Sequence, residues 1–256
     1  MSNLLEGKTA LILGVANRWS LAYAIAQAFA REGGRLLLTY QGERQKQTVE
    51  ELGAELGAAQ VLSCDVSKDE EIEQLRNTLS SSGARVDALV HSIAFANRED
   101  LNRPFLETSR PGYLLAQEIS SYSLVAISRA IAPLMTEGGS ISTLTYLGST
   151  RVITNYNVMG VAKAALEASV RYLAAELGPQ RIRVNAISAG PVKTASARAV
   201  KDLSKMLDSV VQHAPLRRNT DPAEVADTAV FLASHLGRGV TGNVLFVDAG
   251  FQIMGL

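Results

Sequence analysis

The sequence predicts an α/β fold built on a seven-stranded parallel sheet with helices on both faces. Three observations carry this expectation. Seven short apolar runs recur along 256 residues, and longer stretches with helical spacing fill the gaps between them. The runs are near-continuously apolar, as strands covered on both faces must be. The length suits one domain of this kind, spanning 1–256.

The elements follow in order. Residues 8–14 (KTALILG) read as the first strand and 20–32 as the first helix. Strands at 35–40 and 60–63 flank a helix rich in Glu and Gln. The fourth strand lies at 86–92 (VDALVHS), the fifth at 140–146, the sixth at 182–187 and the seventh at 243–247. Helical patterns at 112–132, 156–177 and 222–234 join the later strands. Right-handed crossovers between parallel neighbours then give a doubly wound Rossmann-type fold. The irregular part is 189–214, a loop followed by a short helical pattern, and 192–214 is expected to act as a lid over a substrate.

Composition narrows the function. The chain is 47% hydrophobic, enough for a large core, and its 25 basic residues match its 25 acidic ones. An even charge balance argues against a nucleic-acid partner. The single cysteine, Cys64, cannot form an internal disulfide, which suits a reducing cytoplasm. No basic-then-apolar leader opens the sequence, and no run approaches the about 18 apolar residues of a membrane span. The expectation is a cytoplasmic protein without a membrane partner.

The first strand ends in Gly14, and the turn runs Val15-Ala16-Asn17-Arg18-Trp19-Ser20-Leu21-Ala22. In open α/β sheets a dinucleotide sits beyond the carboxyl ends of the strands, its pyrophosphate at the amino end of the first helix. Gly14 permits a tight exit, and Ser20 and Ala22 are small enough for close approach. The turn lacks the usual glycine-rich fingerprint, so a plain strand–helix connection stays open. Asp65, after the third strand, either accepts from an adenine amino group or caps the next helix. His91-Ser92-Ile93-Ala94 falls after the fourth strand, at the expected switch point, and His91 itself reads as a core histidine with satisfied nitrogens. The second strand ends in Tyr40-Gln41. A terminal acid there selects NAD and an adjacent base selects NADP. Gln41 is neither, and Glu43 beside Arg44 opposes a phosphate, so NADH is expected over NADPH.

Tyr146 closes the fifth strand, and Tyr156 and Lys163 open the long helix that follows. Seven residues are about two turns, which puts Tyr156 and Lys163 on one helix face about 10 Å apart along the axis. A lysine near a tyrosine lowers the cost of phenolate character. The tyrosine then donates a hydrogen bond or a proton to an oxygen that becomes anionic. A surface role for either residue alone is the bland alternative; their joint placement after the fifth strand is specific. His91, His213 and His235 lack ligand spacing, so no metal is expected.

These residues resemble the short-chain dehydrogenase/reductase superfamily, and specifically its enoyl-acyl-carrier-protein reductase branch, over essentially the whole chain. Common members carry Tyr-x-x-x-Lys and a three-glycine turn; here Tyr156-x6-Lys163 and Gly14-x5-Ser20-x-Ala22 match the branch. Ser120-Ser121-Tyr122-Ser123, Tyr146-Leu147-Gly148 and Arg183-Val184-Asn185-Ala186-Ile187-Ser188-Ala189-Gly190-Pro191 are similar to it as well. The resemblance implies reduction of the double bond of trans-2-enoyl-acyl carrier protein in fatty acid synthesis. It implies that Gly14, Ser20, Leu21, Gln41, Asp65, Val66, Ser92, Ile93 and Lys163 line the cofactor, while Val192-Lys193-Thr194-Ala195-Ser196 closes over it. It implies that Tyr146, Tyr156 and Lys163 are catalytic and that Ala96, Tyr146 and Tyr156 face the substrate. It also implies a homotetramer; the apolar tail 251–256 is consistent with an interface and equally with folding back on its own core.

Two rivals remain. A ketoacyl or other carbonyl reductase shares the fold and cofactor, but Met159, four residues before Lys163, cannot protonate a carbonyl. A non-catalytic dinucleotide-binding protein would have no use for Tyr146, Tyr156 and Lys163 together. Arg198, Lys201 and Lys205 recur at helical spacing beside the lid. They read as a solvated helix face, with docking of an acidic carrier protein the sharper alternative.

Overall fold

A computed structural model describes residues 3–194 and 201–255. Its strands are β1 (Thr9–Leu13), β2 (Arg35–Tyr40), β3 (Gln60–Ser63), β4 (Ala88–His91), β5 (Gly139–Thr145), β6 (Ile182–Ala189) and β7 (Val244–Val247). They form one parallel sheet in the order β3-β2-β1-β4-β5-β6-β7. The helices among the described residues begin with α1 (Leu21–Arg31), α2 (Gly42–Glu55), α3 (Asp69–Ser81), α4 (Arg98–Asn102) and α5 (Arg110–Gln117). After these come α6 (Ser123–Ile131), α7 (Asn157–Leu177), α8 (Leu203–His213) and α9 (Pro222–Ala233).

Strand alternation builds two cores. Ala10 and Ile12 of β1 pack with Ile25 and Phe29 of α1, Leu52 of α2 and Val225 of α9. Leu11 and Leu13 face the other side, with Leu75 of α3, Ile127 of α6 and Leu166 of α7. Burying both faces explains why the strands read as unbroken apolar runs. The chain winds outward from β1 to β3, then returns to place β4 on the other side of β1. That reversal opens a crevice above the carboxyl ends of β1 and β4.

Local chemistry sets the helix ends. Ser20 caps α1 by accepting from the Tyr23 N–H at 3.2 Å. Asp221 and Glu224 form a capping box on α9, with Pro222 in its first turn.

The expected continuous helix at 112–132 is broken. Between α5 and α6 the chain widens into a π turn at Glu118–Tyr122. There Ser120 Oγ accepts from the Phe95 N–H and donates to the Phe95 carbonyl, both at 2.9 Å. The helix gives up regular geometry to satisfy a loop at the crevice. Two short helical turns, α4 and Phe105–Glu107, also stand where the sequence offered no pattern. No described helix is long and apolar enough to cross a membrane.

Candidate active site

A cavity of about 610 Å³ opens at the crevice. Its lining comes from the turn after β4 (Phe95, Ala96), the end of β5 (Thr145, Tyr146), the start of α7 (Tyr156, Met159) and α8 (Leu203, Met206). Leu21, Val192 and Thr194 line it as well. The structure therefore gathers one residue of the expected cofactor turn, two of the closing segment and all three expected substrate residues around one space. Ala195, Ser196 and Arg198 lie outside the described residues.

The two tyrosines meet directly. Their ring centroids are 4.9 Å apart and the planes cross at 73°, an edge-to-face contact. Tyr146 follows β5 in an extended conformation, and Tyr156 immediately precedes the first residue of α7. Asn155 and Asn157, on either side of Tyr156, both adopt positive φ, which asparagine tolerates better than most residues. Asn157 Nδ2 donates to the carbonyls of Leu101 and Arg103, tying α7 to the opposite cavity wall. Gly148 makes room for the Tyr156 ring, which a Cβ there would strike.

Burial pushes the Tyr146 phenol up to about 12, with Asp248 adding to it. Burial, Tyr146 and Glu167 all raise Tyr156. Lys163 is not among the groups that shift either phenol, and both are neutral O–H donors near pH 7. Lys163 is 5% exposed and donates to the Leu144 carbonyl at 2.7 Å. Burial pulls its ammonium down to about 8, against the opposing pull of Glu167. His91 is a core histidine, as read: its ring nitrogens lie 2.9 Å from Thr143 Oγ1 and 2.8 Å from Ser123 Oγ. Burial and the Lys163 charge hold it down at about 3.

The cofactor turn is compact. Gly14 has φ +97, and a Cβ on it would overlap the Ser92 carbonyl. The turns after β1 and β4 thus touch at the switch point. Ser20 lies at the amino end of α1 beside a second groove that also holds Arg18 and Lys193. Asp65 and Gln41 lie beside each other just past the ends of β3 and β2, where Gln41 favours the Asp65 charge. Asp65 Oδ1 also accepts from the Ser67 N–H and Oγ, so it turns its own loop rather than capping α3. Burial works against its charge, but the Ser67 bonds and Gln41 win and lower its pKa. Val66 and Ile93 pack against the core on the α3 side.

Lys205 pairs with Asp202 at 2.9 Å and is exposed, as a solvated face would be. In the tail, Phe251 and Gln252 are half-buried, while Ile253 and Met254 are exposed. Sequence reasoning gave Ser120 and Asn157 no role of their own and passed over Glu167. Glu167 carried a signal, a charge on the apolar stripe of α7 one turn beyond Lys163.

A family model described as Enoyl-(Acyl carrier protein) reductase matches residues 14–252. The chain is 52% identical to enoyl-[acyl-carrier-protein] reductase [NADH] FabI of Bacillus cereus, over 98% of this chain and 99% of that one. It is 48% identical to enoyl-[acyl-carrier-protein] reductase [NADPH] FabI of Staphylococcus aureus, over 97% and 98%. Among solved structures, the Bacillus cereus enoyl-acyl carrier protein reductase with NADP+ and indole naphthyridinone superposes with a TM-score of 0.97, at 52% identity and 99% coverage of both chains.

Proposed function

The chain belongs to the enoyl-(acyl carrier protein) reductase family, and from that premise we infer that it saturates the double bond of trans-2-enoyl thioesters on acyl carrier protein. What carries this reading is the crossed pair Tyr146 and Tyr156 on the wall of a largely apolar cavity, with Lys163 buried on α7, the helix that Tyr156 immediately precedes.

The residues suit a dinucleotide. Gly14 lets the turns after β1 and β4 close against each other at the switch point, and the amino end of α1 lies beside the groove that holds Ser20, Arg18 and Lys193. Gly14, Ser20, Leu21, Ser92, Ile93, Lys163, Val192 and Thr194 are assigned to hold it, with Ala195 and Ser196 by resemblance. Gln41, Asp65 and Val66 are assigned to its adenosine end. When bound, a reduced nicotinamide supplies a hydride to the β-carbon of the enoyl thioester. Tyr156 donates its O–H to the thioester oxygen as that oxygen takes up the displaced electrons, and a proton then returns to the α-carbon. Tyr146 rests against the thioester, and Ala96 faces the acyl chain. Residues 192–214 act as a lid, with α8 as its helical part.

NADH is the assigned cofactor. Relatives carry either NADH or NADPH in their names, and Gln41 at the end of β2 supports NADH here. Mixing the protein with crotonyl-carrier protein and each cofactor in turn tests this. Faster oxidation of NADH, with butyryl thioester as product, is expected; faster oxidation of NADPH overturns the assignment. A homotetramer in the cytoplasm completes the proposal, and light scattering that returns a monomer removes the tetramer.

A further inference from the structure

Helix α7 buries two opposite charges one turn apart. Lys163 is 5% exposed and Glu167 6%, on a stripe otherwise made of Val158, Met159, Ala162, Leu166 and Val170. A buried carboxylate is expensive unless it is hydrogen-bonded and faces a positive charge. Glu167 Oε1 accepts from Thr145 Oγ1 at 2.6 Å, while Lys163 Nζ donates to the Leu144 carbonyl at 2.7 Å. Leu144 and Thr145 are consecutive, and Tyr146 comes next. Two charges on the helix that begins after Tyr156 therefore grip neighbouring residues of the strand that delivers Tyr146.

We propose that Glu167 is a positioning residue of this reductase: the buried counter-charge of Lys163, it keeps the ammonium charged and in place while fastening the end of β5. The proposal rests on the reading that Lys163 holds the cofactor.

The electrostatic surroundings leave this role to Glu167. Among the described residues, it is the anion that raises the Lys163 ammonium against burial. His91 of β4 faces the ammonium but is neutral, held down at about 3. Tyr146 and Tyr156 are neutral phenols, and Asp248 acts on Tyr146. On other elements packed against α7, Arg98, Glu99, Arg110, Glu118, Tyr122 and Arg129 are exposed to solvent. Asp100 is occupied by Ser109, and Arg183 of β6 by the Gly237 carbonyl.

The sign follows. Glu167 pushes the lysine pKa upward, so removing its charge lets that pKa fall further. The ammonium is then lost at lower pH, and cofactor binding goes with it.

The test is the pH dependence of kcat/KM for NADH and of NADH affinity in the full-length protein, unaltered and as Glu167→Gln, Glu167→Asp and Lys163→Met. Glu167→Gln should move the alkaline limb down by about one pH unit or more. Its activity should fall about fivefold or more at pH 8, with a smaller loss at pH 6, and Glu167→Asp should recover part of the shift. An unmoved limb in Glu167→Gln overturns the proposal. If Glu167→Gln does not fold, the double variant Lys163→Met/Glu167→Gln decides. Recovery of the fold supports a counter-charge, because the uncompensated cation is gone. Continued misfolding overturns it, because the role was then only to hold Thr145. Unchanged NADH affinity in Lys163→Met would remove the cofactor reading itself, and the proposal with it. Weakened affinity there, with an unmoved limb in Glu167→Gln, removes the proposal alone.

Discussion

Tyr156 shows how surroundings decide what a single residue can do. Its phenol is raised by burial, by Tyr146 and by Glu167, so it acts as a neutral donor across the physiological range. Tyr156→Phe should lower kcat/KM for crotonyl-carrier protein by about 10²-fold or more, with NADH affinity within a few-fold; near-normal turnover would remove its role. Gly14 is constrained differently, by a positive φ and by the Ser92 carbonyl. Gly14→Ala should cost more than about 1 kcal/mol of stability and weaken cofactor binding, as read by denaturant unfolding and NADH titration. Tyr156 and Lys163 were legible in the sequence as candidates from their seven-residue spacing, although Tyr156 stands just before α7 and only Lys163 is on it. Glu167 and Ser120 were not, because their partners, Thr145 and Phe95, lie 22 and 25 residues away. Only the fold brings such pairs within 3 Å.

Elements followed the sequence where burial sets the pattern and departed from it where a hydrogen bond does. All seven strands stood where their apolar runs placed them, within one or two residues at either end. The stretch at 112–132 read as one helix because its apolar spacing crosses the π turn without interruption. Nothing in local propensity announces that Ser120 must reach Phe95. Ser120→Ala leaves the Phe95 N–H without that acceptor, for a cost of about 1–3 kcal/mol. Phe95 and Ala96 line the cavity, so the same variant should raise KM for the enoyl substrate more than it lowers kcat. A pure stability loss with unchanged KM would separate the π turn from substrate binding.

Across the whole molecule, chemistry and stability occupy opposite ends of the sheet. The cavity lies beyond the carboxyl ends, as doubly wound folds require. At the amino ends, buried Asp87 accepts from the Thr9 N–H at 2.9 Å, Lys8 Nζ at 3.1 Å and an Arg85 guanidinium N–H at 3.0 Å, joining the starts of β1 and β4. Asp87→Ala should cost about 1–3 kcal/mol in unfolding experiments and leave kcat and KM unchanged while the protein stays folded. An altered kcat would mean the two ends are coupled. The overall architecture was legible because two buried sheet faces force apolar strands. The reaction was legible through the spacing from Tyr156 to Lys163, and substrate choice tests that spacing most directly. The decisive measurement follows nicotinamide absorbance with NADH and either crotonyl- or acetoacetyl-carrier protein. Oxidation with crotonyl thioester alone, yielding butyryl thioester, is the predicted result. Reduction of acetoacetyl thioester, with crotonyl thioester untouched, would contradict it and make the chain a carbonyl reductase.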